Sequence, residues 1–365
     1  MKILIVDNSA MNLRGNAYCT NSLNGLFVTD LINCNNKISY FQFAKANDDS
    51  ISEFDLEENG VTCHPLPIKK RKMINYLNAY LKIIPFITKN DFIYFYYPSS
   101  FKYAPFLCWL FRKKFGLYVR GMNGINDKIS GCNYKMAFTI FTVSDFFTEM
   151  INERTNKKTA HTIKPMIPFS EKDVIIDRDY SLSDKVSILY LGRIAHDKGI
   201  GELLKAAKIL KDKGYNFELN LVGSGEFLQK SKQLIEEYSI GEVVIVHGAV
   251  FEIEAVKSFY VNSDMYILPT YHEGFPRTLY EAMIFGTPII TTFVGGIPAL
   301  MKDGWNCKEI QPKSTESIVE ALEFAFLNYD KMKDYAKNGT NTVCKIVDSK
   351  RLSHGQHLDK IIKTL

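Results

Sequence analysis

Glu273 and Glu281 stand eight apart in the segment Glu273-Gly274-Phe275-Pro276-Arg277-Thr278-Leu279-Tyr280-Glu281. The pattern predicts a loop after a strand at 265–268, entering a helix near Thr278. The unpaired N–H groups of a helix start suit a phosphate or diphosphate. Phe275, Pro276, Arg277, Thr278 and Leu279 would form that cradle. Two carboxylates cannot both ligate such an anion, because like charges repel. They suit hydroxyl donors, as on a sugar.

Three further segments repeat the strand–loop–helix pattern. Tyr190-Leu191-Gly192-Arg193-Ile194-Ala195-His196-Asp197-Lys198-Gly199 puts Arg193 and Lys198 past the carboxyl end of a strand. A cation there suits a phosphate, and Arg binds one bidentately. Leu221-Val222-Gly223-Ser224-Gly225 allows close backbone approach to an anion. It is an incomplete dinucleotide fingerprint, because position 228 is Leu. Thr292-Phe293-Val294-Gly295-Gly296 is the third. No Gly-Lys dipeptide occurs, which excludes a P-loop.

Together these segments resemble the family-four retaining glycosyltransferases, the group 1 enzymes of GT-B fold. The resemblance rests on LGRIAHDKG, LVGSGE, HEGFPRTLYEAMIFGTPII and GGIPALMKDG, with Glu273 and Glu281 meeting the family's Glu-x7-Glu signature. It is dense over 187–310 and loose before that. It implies transfer of a sugar from a nucleotide-diphosphate donor to a hydroxyl, with no metal or other cofactor. Arg193 and Lys198 would stabilise the leaving diphosphate, and Glu273 would hold the donor sugar. Glu281 would take the ribose hydroxyls. Gly223 would lie at the donor, Gly248, Ala249 and Val250 beside the base, and Gly15 and Asn16 in the loop after the first strand. That loop has one glycine where family members often have several. Arg120-Gly121 stands where many have a His-Asp pair, so no histidine role carries over.

These residues need a particular scaffold. Short apolar runs alternate with amphipathic stretches, predicting α/β architecture with parallel sheets. In the first half, strands are expected at Lys2–Val6, Ile38–Phe43, Asp91–Tyr97, Leu117–Val119 and Phe138–Val143. Helices are expected at Leu23–Ile32, Met73–Ile84 and Pro105–Lys114. In the second half, strands at Ser187–Leu191, Phe217–Val222, Val243–His247, Met265–Leu268 and Pro288–Thr291 alternate with helices. The expectation is two Rossmann-like, doubly wound domains facing across a cleft: 1–168, a linker at 169–186, and 187–345. A final helix at 346–365 would pack back toward the first domain.

The 365 residues hold 45 Lys+Arg and 40 Asp+Glu, a net +5. Residues 1–165 carry 21 cations and 13 acids, and the remainder 24 and 27. The window 69–120 has 11 cations, one acid and 15 aromatics. Lys69, Lys70, Arg71, Lys72, Trp109, Arg112, Lys113, Lys114 and Arg120 are its candidates for an acceptor phosphate or an anionic membrane surface. The resemblance implies a glycan acceptor carried on a polyprenyl diphosphate. A nucleic-acid-binding or other anion-binding protein without transferase activity is the competing reading. It lacks any RRM, KH, zinc-finger or helix-turn-helix signature, so no nucleic-acid partner is expected. The seven cysteines are odd in number without a Cys-x-x-Cys pair, which points to free thiols in a reducing compartment. With no apolar run of about 20 residues, the expectation is a cytoplasmic protein, peripheral on the inner face of the plasma membrane.

Overall fold

The computed structural model describes residues 1–7, 9–46, 54–67, 72–97, 101–121, 126–182, 184–274 and 276–365, the side chains of 46 and 72–76 excepted. It divides into two units, Met1–Met166 with Leu352–Leu365, and Ile167–Arg351.

The first unit contains β1 (Lys2–Val6), β2 (Met11–Arg14), β3 (Ala17–Thr20), α1 (Ser22–Asn33), β4 (Lys37–Ala46), β5 (Phe54–Asp55), β6 (Thr62–Pro67), α2 (Lys72–Lys89), β7 (Phe92–Tyr97), α3 (Ala104–Leu110), β8 (Lys114–Val119), α4 (Lys128–Met136), β9 (Thr139–Thr142), α5 (Asp145–Thr155) and β10 (Ala160–Thr162). The second contains β11 (Val186–Leu191), α6 (Ile200–Asp212), β12 (Phe217–Val222), α7 (Leu228–Glu237), β13 (Val244–Gly248), α8 (Ile253–Val261), β14 (Met265–Leu268), α9 (Arg277–Ile284), β15 (Ile289–Thr292), β16 (Lys308–Ile310), α10 (Thr315–Leu327) and α11 (Tyr329–Val347). The last helix, α12 (His354–Ile362), returns to the first unit.

Both units are doubly wound. In the first, the parallel strands run β6-β4-β1-β7-β8-β9-β10. Along β1 and β7, alternate residues serve opposite faces of the sheet. Leu4, Val6, Ile93, Phe95 and Tyr97 pack in one core cluster. Ile3, Ile5, Phe92, Tyr94 and Tyr96 pack in the other. The period of two puts successive side chains on opposite faces, and a sheet covered on both sides makes each strand a continuous apolar run. Helices α2 to α5 cover the first cluster, and α1 and α12 the second. Eight of the aromatics in 69–120 therefore lie in the core: Phe92, Tyr94, Phe95, Tyr96, Tyr97, Phe101, Phe115 and Tyr118.

Two sequence expectations need correction here. The helix expected to reach Lys114 ends at Leu110. Arg112 takes a left-handed backbone (φ 53), and the N–H of Lys113 donates to the Cys108 carbonyl. Lys114 then opens β8, so Arg112, Lys113 and Lys114 do not share a helix face. The expected loop after β1 is a hairpin instead. Arg14 pairs with Ala17 across the turn of Gly15 and Asn16, where Gly15 has φ 59.

Residues 169–186 fall within the second unit, pinned by a half-buried arginine. Arg178 donates to the carbonyls of Tyr260 (3.0 Å), Phe285 (2.9 Å) and Val261 (3.0 Å), and to the Thr287 hydroxyl (2.8 Å).

Candidate active site

The second unit's sheet runs β13-β12-β11-β14-β15-β16. Counting its strands along the chain, the order is 3-2-1-4-5-6, with the winding reversed between β11 and β14. Ligands of such sheets bind beyond the strand carboxyl ends at that reversal. Arg193 and Lys198 follow β11, and Glu273 follows β14. Lys198 Nζ is ion-paired and hydrogen-bonded to Glu273 Oε1. The two side chains are only 12% and 20% exposed. The same ammonium lies 3.5 Å from Thr270 Oγ1 and 4.0 Å from Asp197 Oδ2. Arg193 donates to both carboxylate oxygens of Asp197 (3.0 and 3.1 Å) and to Glu226 Oε1 (3.1 Å). Two cations and three carboxylates thus meet at one end of the sheet, with Asp197 between the cations.

The glycines of this region allow loop to pack on loop. Gly223 has φ 146, its N–H donates to the Gly248 carbonyl (2.7 Å), and a Cβ there would collide with the Gly192 carbonyl oxygen. Gly295 has φ 59, and a Cβ there would collide with the Glu273 carbonyl oxygen. Gly296 N–H donates to the Gly274 carbonyl at 2.8 Å. Sequence reasoning attributed these glycines to an approaching anion. The structure gives them a prior job: Gly223 seats the β12 loop on the β11 loop, and Gly295 seats the β15 loop beneath Glu273.

Helix α9 begins at Arg277 after Pro276, with no side chain capping its first N–H groups. Glu281 is 8% exposed. Burial pushes its carboxyl above the ordinary carboxylate range, against the Tyr260 hydrogen bond and the Arg277 charge. Three tyrosines hold this end of the sheet from beneath. Tyr260 O–H donates to Glu281 Oε2 (2.9 Å), Tyr266 O–H to Thr278 Oγ1 (2.6 Å), and Tyr190 O–H to the Arg193 carbonyl (2.7 Å). Sequence reasoning missed them and Asp197. For Tyr190 in β11 and Tyr266 in β14 the available signal was a tyrosine within a buried strand near the site, whose hydroxyl must find a polar partner.

Residues 174–342 match the family model described as glycosyl transferases group 1. Over those residues, which fall in the second unit, the chain is similar to the group 1 glycosyl transferases. It is 34% identical over 145 residues to the capsular polysaccharide biosynthesis glycosyltransferase CapM of Staphylococcus aureus, covering 39% of this chain and 37% of CapM. The chain aligns with well under half the length of such curated relatives. Its fold is that of HepE from Anabaena, solved with UDP (TM-score 0.73, 16% identity, all of both chains). The lipopolysaccharide outer core galactosyltransferase WaaB shares it also (TM-score 0.72, 18% identity, 100% of this chain and 99% of that one).

Around this site the remaining candidates are dispersed. Gly248 ends β13, joined to Gly223 as above, and Ala249 and Val250 follow it. Phe275, Lys69, Lys70 and Arg71 lie outside the described residues, as does the side chain of Lys72, which opens α2. Gly15 and Asn16 form the exposed hairpin tip of the first unit. Arg120 follows β8, with its guanidinium over the rings of Tyr96 (5.3 Å) and Tyr118 (5.6 Å). The first unit's own reversal lies between β1 and β7. There Asp7 is fully buried and accepts hydrogen bonds from Asn24 Nδ2 (2.8 Å) and the Tyr40 hydroxyl. Among the described residues, no three His, Cys, Asp or Glu side chains are grouped to hold a metal ion.

Proposed function

We propose that this chain transfers a sugar from a nucleotide-diphosphate donor to a hydroxyl of a glycan acceptor, with retention at the anomeric carbon, in bacterial surface polysaccharide assembly. The observation that carries this reading is the Lys198–Glu273 pair, set with Arg193 at the winding reversal of a group 1 unit. CapM's part in capsular polysaccharide biosynthesis and WaaB's in the lipopolysaccharide outer core support the polysaccharide setting, and the UDP in HepE supports a nucleotide donor.

The roles follow from charge. Departure of the leaving group puts negative charge on the β-phosphate. Arg193 and Lys198 offset it, joined by the N–H groups at the start of α9. The diphosphate displaces Asp197 and Glu226 from Arg193. It also draws Lys198 from Glu273, whose carboxylate then meets the donor sugar's hydroxyls and the positive charge growing at the anomeric carbon. Tyr260 occupies one oxygen of Glu281, and the ribose hydroxyls take the other. Gly248 to Val250 border the base. Two fixed cations do the work of a divalent metal. The first unit receives the acceptor, Arg120 meeting its phosphate, at the cytoplasmic face of a membrane.

A thermal-shift panel of UDP- and GDP-sugars tests the donor site. One nucleotide sugar is expected to raise the melting temperature, and Arg193→Ala and Glu281→Gln to abolish that shift and turnover. Wild-type binding and turnover in both variants would place the donor elsewhere.

A further inference from the structure

Helices α2 and α3 cover the same face of the first unit's sheet. Ala79, Ile83 and Ile87 of α2 and Ala104 and Cys108 of α3 enter one core cluster. Their outward faces should then be polar. They are so only in part. Leu77 and Leu81 are 68% and 61% exposed, and Phe106, Trp109 and Leu110 are 39%, 65% and 63% exposed. Spacings of three and four residues gather each set into a stripe. Single exposed apolar residues are ordinary, but a contiguous patch marks an interaction surface.

Charge identifies the partner. From residue 72 to 120 the sequence carries eight Lys or Arg against one acid, Asp91. Lys82, next to Leu81, and Arg112, two residues past Leu110, are exposed. An apolar face rimmed by cations fits the headgroup region of an anionic bilayer. Among the described residues, no helix is long and apolar enough to cross a membrane, so the contact lies in the plane of the leaflet.

Leu81 also sits at the edge of a cavity of about 560 Å³, lined by Phe41, His64, Leu66, Leu81, Pro85 and Phe86. Its volume is within the range of ligand pockets. One wall is β6, which pairs with β4 alone. The His64 ring stacks on Phe86 at 3.9 Å, and burial, with Lys89 nearby, lowers its proton affinity. The lining is therefore uncharged at that ring and mostly apolar, with Lys82 its one cation among the described residues.

We propose that the α2–α3 surface docks on an anionic phospholipid leaflet, and that the cavity under Leu81 takes a hydrocarbon chain from it. This does not depend on the donor site, since docking needs no nucleotide. Flotation of the full chain with phosphatidylglycerol–phosphatidylethanolamine vesicles, against pure phosphatidylcholine, tests the surface. Binding to the anionic vesicles alone is expected, weakening as salt rises from about 0.05 to about 0.5 M. Trp109→Ser with Leu110→Ser should weaken it at least about tenfold at unchanged melting temperature, because both side chains are exposed. The cavity is tested by Leu81→Trp in a Trp109→Phe, Trp305→Phe background, whose fluorescence should be quenched by lipids brominated on the acyl chain. Absence of flotation at low salt would overturn the docking. So would flotation unchanged in the double variant, or self-association that the double variant dissolves. A reporter at position 81 that binds vesicles unquenched would overturn the cavity assignment.

Discussion

Lys198 is the residue on which most of the site converges, because it touches groups from both sides of the winding reversal. Losing one charge-assisted hydrogen bond costs about 1.5–3 kcal/mol, or roughly tenfold to a few hundredfold in rate. Lys198→Met should therefore lower kcat by that factor at saturating donor, measured by release of the nucleotide diphosphate. Glu281 makes a different prediction. Its folded carboxyl holds a proton to higher pH than the unfolded one. Its contribution to stability therefore declines as pH rises through the unfolded value, about 4.3. At pH 7 the buried charge is a cost. Glu281→Gln, which can still accept from Tyr260, should raise the melting temperature at pH 7 and lose that advantage near pH 4, as scanning calorimetry would record. Arg193, Lys198, Glu273 and Glu281 were legible as a set from residue types and spacing. Asp197 and the three tyrosines were not, because their importance lies in contacts across elements that are distant in sequence.

At the scale of elements, α12 is held by shape and by a histidine. Leu358 and Ile362 are fully buried against α1 and the sheet. Gly355 lies so close to α1 that a Cβ would come within 2.9 Å of the Phe27 carbonyl oxygen. Gly355→Ala should cost about 1–3 kcal/mol, read from denaturant midpoints. His354 is fully buried, with Nε2 2.6 Å from the Tyr94 hydroxyl. Desolvation, with His357 and Arg120 adding to it, holds its pKa well below the ordinary value. The folded state thus resists a proton that the unfolded chain accepts near pH 6.5. Stability from this group is full above that pH and falls below it. Between about pH 6.5 and 5, the wild type should lose more melting temperature than His354→Phe does. The second unit's main strands and helices were readable because each is an apolar run or a helical period ended by a turn. In the first unit, the strands β2, β3, β5, β6 and β10 went unread. Thr-Cys-His-Pro-Leu-Pro of β6 is a mostly exposed edge with two prolines, and neither apolar continuity nor alternation marks it.

The whole molecule is one doubly wound unit carried within another. The second unit is continuous from 167 to 351, and the first is closed only when the chain comes back to it. Residues 167–351 expressed alone should therefore fold and bind the nucleotide part of the donor, as titration calorimetry can show. Residues 1–166 alone should be unstable for want of α12. That return also sets a schedule for synthesis. At about 5–20 residues per second, a ribosome needs roughly ten to forty seconds to make the second unit. Throughout that time Phe27, Tyr94 and Phe141 await the helix that seals them. The aromatic side of the nascent first unit is thus the stretch most in need of a chaperone before the last dozen residues emerge.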